Sequence, residues 1–101
     1  MPHYLVHLDL QIGEYEKRNK LLIKARNQRD AEIMAMVIEC HGNARWWDDD
    51  KLCIDDMNGE MLYTANKAIE VNEEQVKTLL YCGFNVHKYD KSLIEEVVCI
   101  P

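Results

Sequence analysis

Two runs that alternate strictly between apolar and polar residues lie near the start of the chain. They constrain its fold more than any other feature. In residues 4–12, Tyr4, Val6, Leu8, Leu10 and Ile12 fall on one side. His3, Leu5, His7, Asp9 and Gln11 fall on the other. Period two over this length predicts a strand with one buried face. Residues 18–26 repeat the pattern, with Leu21, Ile23 and Ala25 set against Arg18, Lys20, Leu22, Lys24 and Arg26. Gly13 and the polar run Glu14-Tyr15-Glu16-Lys17 make the turn between them, so the two runs form an antiparallel hairpin.

The next element is helical. Asn27 or Asp30 caps it, because a short side-chain oxygen there accepts from orphan backbone N–H groups. Ala31, Ile33, Met34, Val37, Ile38 and His41 recur at helical spacing, and Gly42 supplies the left-handed residue that commonly ends a helix. Met36 and Cys40 widen the apolar face, which predicts a helix covered on more than one side. Farther on, Leu52-Cys53-Ile54 and Met61-Leu62-Tyr63 flank Asn58-Gly59, the strongest short hairpin signal. Ala68-Ile69-Glu70-Val71 extends the second arm or forms a fifth strand. Asn72 and Gln75 then form a capping box for a helix that turns Val76, Leu79 and Leu80 inward and closes before Gly83. Phe84-Asn85-Val86 and Val97-Val98-Cys99-Ile100 follow, the latter reading equally as a last strand or a short helix.

The order is therefore β-β-α-β-β-(β)-α-β. It predicts one α+β domain over residues 1–101, an antiparallel sheet of four to five strands with two helices packed on one face. A chain of 101 residues, 48% hydrophobic, is long enough for a single core and too apolar for disorder. No apolar run is long enough to cross a bilayer. The start, Met1-Pro2-His3-Tyr4, has no basic region or apolar core of a signal peptide, so a cytoplasmic protein is expected. Cys40, Cys53, Cys82 and Cys99 are widely and irregularly spaced in apolar runs, which argues against a disulfide framework.

Charge is uneven. Residues 1–47 carry seven Lys or Arg against six Asp or Glu, a balance of +1. Residues 48–101 carry five against twelve, a balance of −7. Bulk nucleic-acid binding needs the opposite sign. An acidic surface suits a protein partner with a basic groove, or serves solubility alone. The acid concentrates in one segment with both tryptophans: Trp46, Trp47, Asp48, Asp49, Asp50, Asp55, Asp56 and Glu60. Adjacent residues of a regular strand face opposite sides, so one Trp is expected in the core and the other at the surface beside the acids. These eight residues are the candidate partner-binding surface.

Other chemistry is weakly signalled. Counting back from Gly59, a calcium loop would begin at Ile54 and end at Ala65, neither a suitable ligand. Magnesium at Asp48–Asp50 needs carboxylates converging from other elements. Zinc from Cys40, His41, Cys53, Cys82, His87 and Cys99 lacks the close pairs of structural sites. Cys82 and His87 are the one thiol–imidazole pair that a turn at Gly83 brings close, but nothing marks Cys82 as activated. No phosphate loop, nucleophile elbow or zincin motif occurs. No catalytic residue, metal ligand or cofactor is therefore assigned. The outer face of the first hairpin gathers His3, His7, Lys20, Lys24 and Arg26 with Leu5 and Leu22, but shows no stacking aromatic. His3 and His7 lie about 13 Å apart on an extended strand, too far to share a metal. A solvated face, or one covered by the C-terminal segment, is expected there.

The opening Tyr4-Leu5-Val6-His7-Leu8-Asp9-Leu10-Gln11-Ile12-Gly13-Glu14-Tyr15-Glu16-Lys17, with its following basic strand and helix, resembles small phage and prophage proteins with β-β-α cores. Some anti-CRISPR proteins are of this kind. The resemblance covers the first 42 residues and transfers no functional residues. It implies a non-catalytic inhibitor in the host cytoplasm that occupies the nucleic-acid groove of a host defence complex. Asp48, Asp49, Asp50, Asp55, Asp56 and Glu60 would stand in for phosphates and Trp46 or Trp47 would anchor. Direct nucleic-acid or membrane binding is not expected. The rival readings are a metal-binding or cysteine-dependent enzyme, a self-associating protein that buries its Trp pair in a homodimer, and a nucleic-acid binder that uses the basic hairpin face.

Overall fold

The hairpin read from the alternating runs forms the middle of a larger sheet. The computed structural model describes residues 1–40, 45–48, 53–56 and 61–97. Strand β1 (His3–Ile12) pairs antiparallel with β2 (Tyr15–Lys24) over its whole length, from His3↔Lys24 to Ile12↔Tyr15. The turn is only Gly13-Glu14, with Gly13 at φ 59°, the positive value that tight hairpin turns require. Tyr15, Glu16 and Lys17, expected in the turn from their polar run, belong instead to the strand.

The other strands are β3 (Arg45–Asp48), β4 (Cys53–Asp56), β5 (Met61–Val71) and β6 (Val86–Lys88). The helices are α1 (Gln28–Glu39), α2 (Glu73–Tyr81) and α3 (Lys91–Val97). Among the described residues the sheet has six strands in the order β3-β4-β5-β1-β2-β6. The α+β class is as expected, but three details differ. The sheet gains strands at Arg45–Asp48 and Val86–Lys88. It is mixed, because β6 runs parallel to β2. Helices cover both faces instead of one.

The last difference follows from topology. β5 and β2 are both antiparallel to β1, so they are parallel to each other. Two antiparallel steps through β4 make β3 parallel to them as well. The β2–α1–β3 crossover travels across the sheet in one direction and β5–α2–β6 in the other. Crossovers between parallel strands are almost always right-handed. Opposite directions with one hand put α1 and α2 on opposite faces.

The inner face carries the main core. Val6, Leu8, Leu21, Ile23 and Tyr63 of the sheet pack with Ala31, Met34, Ala35, Met36 and Val37 around α1. Asn27 caps this helix, its side chain accepting from the Asp30 N–H at 2.8 Å. The helix ends at Cys40, whose backbone is extended (φ −74°, ψ 156°). His41 and Gly42, expected at the end of this helix, lie outside the described residues. Tyr89, Leu93 and Ile94 pack against the same cluster, and the Asp90 N–H reaches Met34 Sδ at 3.4 Å. So α1 is covered on two sides, by sheet and by α3. Val97 ends α3, which favours the helical reading of the tail for that residue; Val98, Cys99 and Ile100 lie outside the described residues.

The outer face has a second, smaller core. Leu22 is fully buried yet stands apart from the main cluster. It lies between Leu5 on β1 and Val86 on β6 by register. Helix α2 covers this strip, with Gln75, Thr78 and Leu79 lining a shallow groove together with Leu5 and Val71. The capping box forms as predicted, Asn72 and Gln75 exchanging two bonds of 2.8 Å. Val76 is buried, but Leu80 faces water at 45% exposure rather than turning inward.

Strand β5 extends unbroken past Ala68 to Val71, with one irregularity: Leu8 pairs with Ala65 and His7 with Lys67, leaving Asn66 as a bulge. The bulge restores the parity that lets both Ala65 and Ala68 pack on the inner cluster.

Leu8→Ala should lower stability by about 2–5 kcal/mol, a core truncation with a residual cavity. Asn72→Ala should cost about 1 kcal/mol, and Leu80→Ala should stay within about 0.5 kcal/mol. Chemical denaturation of the three variants checks this order, and a Leu80→Ala cost equal to that of Leu8→Ala would contradict the placement of α2.

Candidate functional site

The acidic, Trp-bearing segment lies at one edge of the sheet. Trp46, Trp47 and Asp48 belong to β3, the outermost strand, and Asp55 and Asp56 belong to β4 beside it. Asp49, Asp50 and Glu60 lie outside the described residues. Arg45 pairs with Asp55, Trp46 with Ile54 and Asp48 with Cys53. Trp47 is therefore an extra residue at a bulge. Alternation does not hold across a bulge. The expectation that adjacent rings must face opposite sides thus loses its premise at this position. On its other side β4 pairs with β5, Ile54 opposite Tyr63 and Asp56 opposite Met61, as predicted for the second hairpin. Its Asn58-Gly59 turn lies outside the described residues.

The outer face presents a second site. Register places its side chains in rows across the strands. Lys20, His7 and Lys67 form one row over β2, β1 and β5. Arg18 and Asp9 form the next, joined at 3.6 Å. Above this floor a groove of about 580 Å³ is lined by His7, Asp9, Arg18, Lys20, Asn66 and Phe84. Among the described residues no carboxylate pairs with Lys20 or Lys67. Their charge is felt at His7, whose pKa is lowered by burial first and then by Lys20 and Lys67, with Asp9 opposing.

His3 and Lys24 share a row one strip away, beyond the apolar Leu5–Leu22 pair, so the predicted basic face is divided in two. Arg26 lies past the end of β2 and pairs with Asp30 at 3.3 Å. Phe84 is the residue that the sequence reading missed. Its place is set by the end of α2: the Phe84 N–H donates to the Leu79 carbonyl at 3.0 Å, and the Gly83 N–H to Leu80 at 3.1 Å. With Gly83 at φ 101°, this is the Schellman arrangement, which turns the following residue back toward the helix. The Gly-Phe pair after the helix was the available signal.

Cys82 and His87 do line one groove with Gly83, at the β2–β6 edge. No hydrogen bond joins them among the described residues, whereas an activated thiol needs its base within hydrogen-bond reach. The Cys40 thiol donates to the Val37 carbonyl at 3.1 Å. Among the described residues no three His, Cys, Asp or Glu side chains converge as a metal site would require, and no helix is long and apolar enough to cross a membrane.

Because Lys20 and Lys67 disfavour the His7 imidazolium, Lys20→Gln or Lys67→Gln should raise its pKa toward the ordinary histidine value. The sign for stability follows. The folded state holds this proton less tightly than the unfolded chain, so His7 costs stability as pH falls below about 6.5. NMR titration of the imidazole checks the direction, and an unchanged or lowered value in both variants would contradict the row. Set against known proteins, the sequence matches no family, no curated protein and no solved structure.

Proposed function

We propose that this chain is a small non-catalytic binding protein that docks through the β3–β4 edge of its sheet. The observation that carries this reading is the placement of the acidic, Trp-bearing segment. Of the region with the densest negative charge and both tryptophans, the described residues Arg45–Asp48 and Cys53–Asp56 are the two outermost strands on that side, with Trp47 at a bulge. An edge strand has a free row of backbone groups and is a natural point of contact. Tryptophan is a preferred anchor, and concentrated carboxylates select a partner of opposite charge.

The partner in this reading is a protein with a basic groove. The resemblance of residues 4–42 to small phage proteins narrows the proposal to a nucleic-acid-handling defence complex of a bacterial host, met in the host cytoplasm. Asp48, Asp49, Asp50, Asp55, Asp56 and Glu60 take the place of phosphates, and Trp46 or Trp47 fills a pocket. Bulges often re-aim side chains next to functional sites, which supports Trp47 as the anchor.

The test is a tagged capture from native host lysate, beside a variant with Trp47→Ala and Asp48, Asp49 and Asp50 changed to Asn. One nucleic-acid-binding complex should be captured by the parent, displaced by added DNA or RNA, and weakened by salt. Loss of a hot-spot tryptophan costs about 2 kcal/mol or more, about thirtyfold in affinity. Equal capture by parent and variant sinks the edge as the contact surface. A concentration-dependent dimer lost in the variant would instead assign the Trp pair to self-association.

A further inference from the structure

We propose that the groove over His7 is a separate binding site for a small phosphorylated ligand of the nucleotide class, its phosphates held by Lys20 and Lys67 and its planar ring set against Phe84. The residues differ from those of the β3–β4 edge, so this site stands or falls independently of the docking proposal.

Three observations carry it. The first is a positive row on an acidic protein. The chain carries −6 overall, yet Lys20, His7 and Lys67 stand side by side on the three central strands. Lys20 lines the groove, whereas Lys67 is outside its lining and stands next to His7 by register, its backbone two strand spacings or about 10 Å from that of Lys20; two flexible ammonium stems can close that gap around phosphate oxygens. Arg18 is already engaged by Asp9 at 3.6 Å. That carboxylate repels an anion at its own end of the groove and leaves the Lys20–Lys67 row as the place for the phosphate.

The second observation is shape. The groove of about 580 Å³ lies in the range of small-molecule sites. Its wall includes Phe84, half-buried on a backbone held by the Schellman turn, so an aromatic side chain stands in the groove beside Lys20 and His7. Stacking on such a face tolerates any planar base. The third is Asn66 in the lining, whose amide both donates and accepts, as the edge of a base requires. Asn66 projects at this point because the β5 bulge sits there.

A long nucleic acid fits less well. The row is one residue deep along the strands, and the −7 balance of residues 48–101 repels an extended polyanion. His7 faces Lys20 from β2, Lys67 from β5 and Asp9 from its own strand, with Arg18 beyond. A phosphate placed among them favours the imidazolium, so binding strengthens as pH falls toward the histidine range.

The experiment is an NMR titration of the full chain with ADP at low salt, beside inorganic phosphate, adenosine and a short oligo(dT). ADP should shift the Phe84 and His7 ring signals and raise the His7 pKa. The double variant Lys20→Gln and Lys67→Gln, both at exposed positions, should bind about tenfold more weakly or worse. Phe84→Ala should weaken ADP about tenfold and leave phosphate unchanged; Phe84→Leu serves where the alanine variant unfolds. Absence of shifts at millimolar ADP, or equal binding by the lysine variant, overturns the site. Inorganic phosphate binding as tightly as ADP overturns the nucleotide class. Oligo(dT) binding far more tightly, with shifts spreading to the His3–Lys24 row, assigns the face to single-stranded nucleic acid instead.

Discussion

Strand β1 is the constraint on which the remaining structure depends. It is hydrogen-bonded along its length to β2 on one side and β5 on the other, and both of its faces are covered. Its alternation assigns Val6 and Leu8 to the α1 core and Leu5 and His7 to the opposite face. A slip of one residue would exchange those sets and place His7 and Asp9 against α1. Core, second core and cationic row are therefore consequences of one register.

Two features modify that register locally, and both fall where the candidate sites lie. The β5 bulge at Asn66 shifts the parity of the strand. Continued without it, the alternation that buries Tyr63 would carry Lys67 to the inner face, against the apolar cluster. With it, Lys67 stands beside His7 and Ala68 takes the inner position. The β3 bulge at Trp47 breaks alternation between the tryptophans at the sheet edge. The two proposed sites thus occupy different parts of the fold, an acidic rim and a cationic groove at the centre of the outer face.

Much of this was legible in the residues. The first hairpin, the Asn27 cap, the Asn72–Gln75 box and the β4–β5 pairing followed from local rules that acted as expected. The basic outer face was legible as a set of side chains, but its cover was not: the sequence suggests solvent or the C-terminal segment there, whereas α2 and Phe84 line it. Lys67 was not, because parity across a bulge is invisible to a periodicity argument. Phe84 was not, because its position depends on a helix end meeting a distant strand. Helical spacing alone turns Leu80 inward, but α2 lies on the outer face and leaves it in water. The short strand Val86–Lys88 carries no alternation of its own and exists because β2 offers an open edge.

Local residue patterns are enough for the α+β class, the central hairpin, two of the helices with their caps, and the grouping of acid with tryptophan. These depend on contacts within a few residues: alternation of side chains, capping oxygens, glycine at positive φ. Tertiary structure decided which faces the helices cover, that α3 closes over α1, and which charges meet across strands. Those outcomes rest on strand order. The order is set by pairings between segments far apart in the chain, and the common hand of the crossovers then leaves each helix one face to occupy.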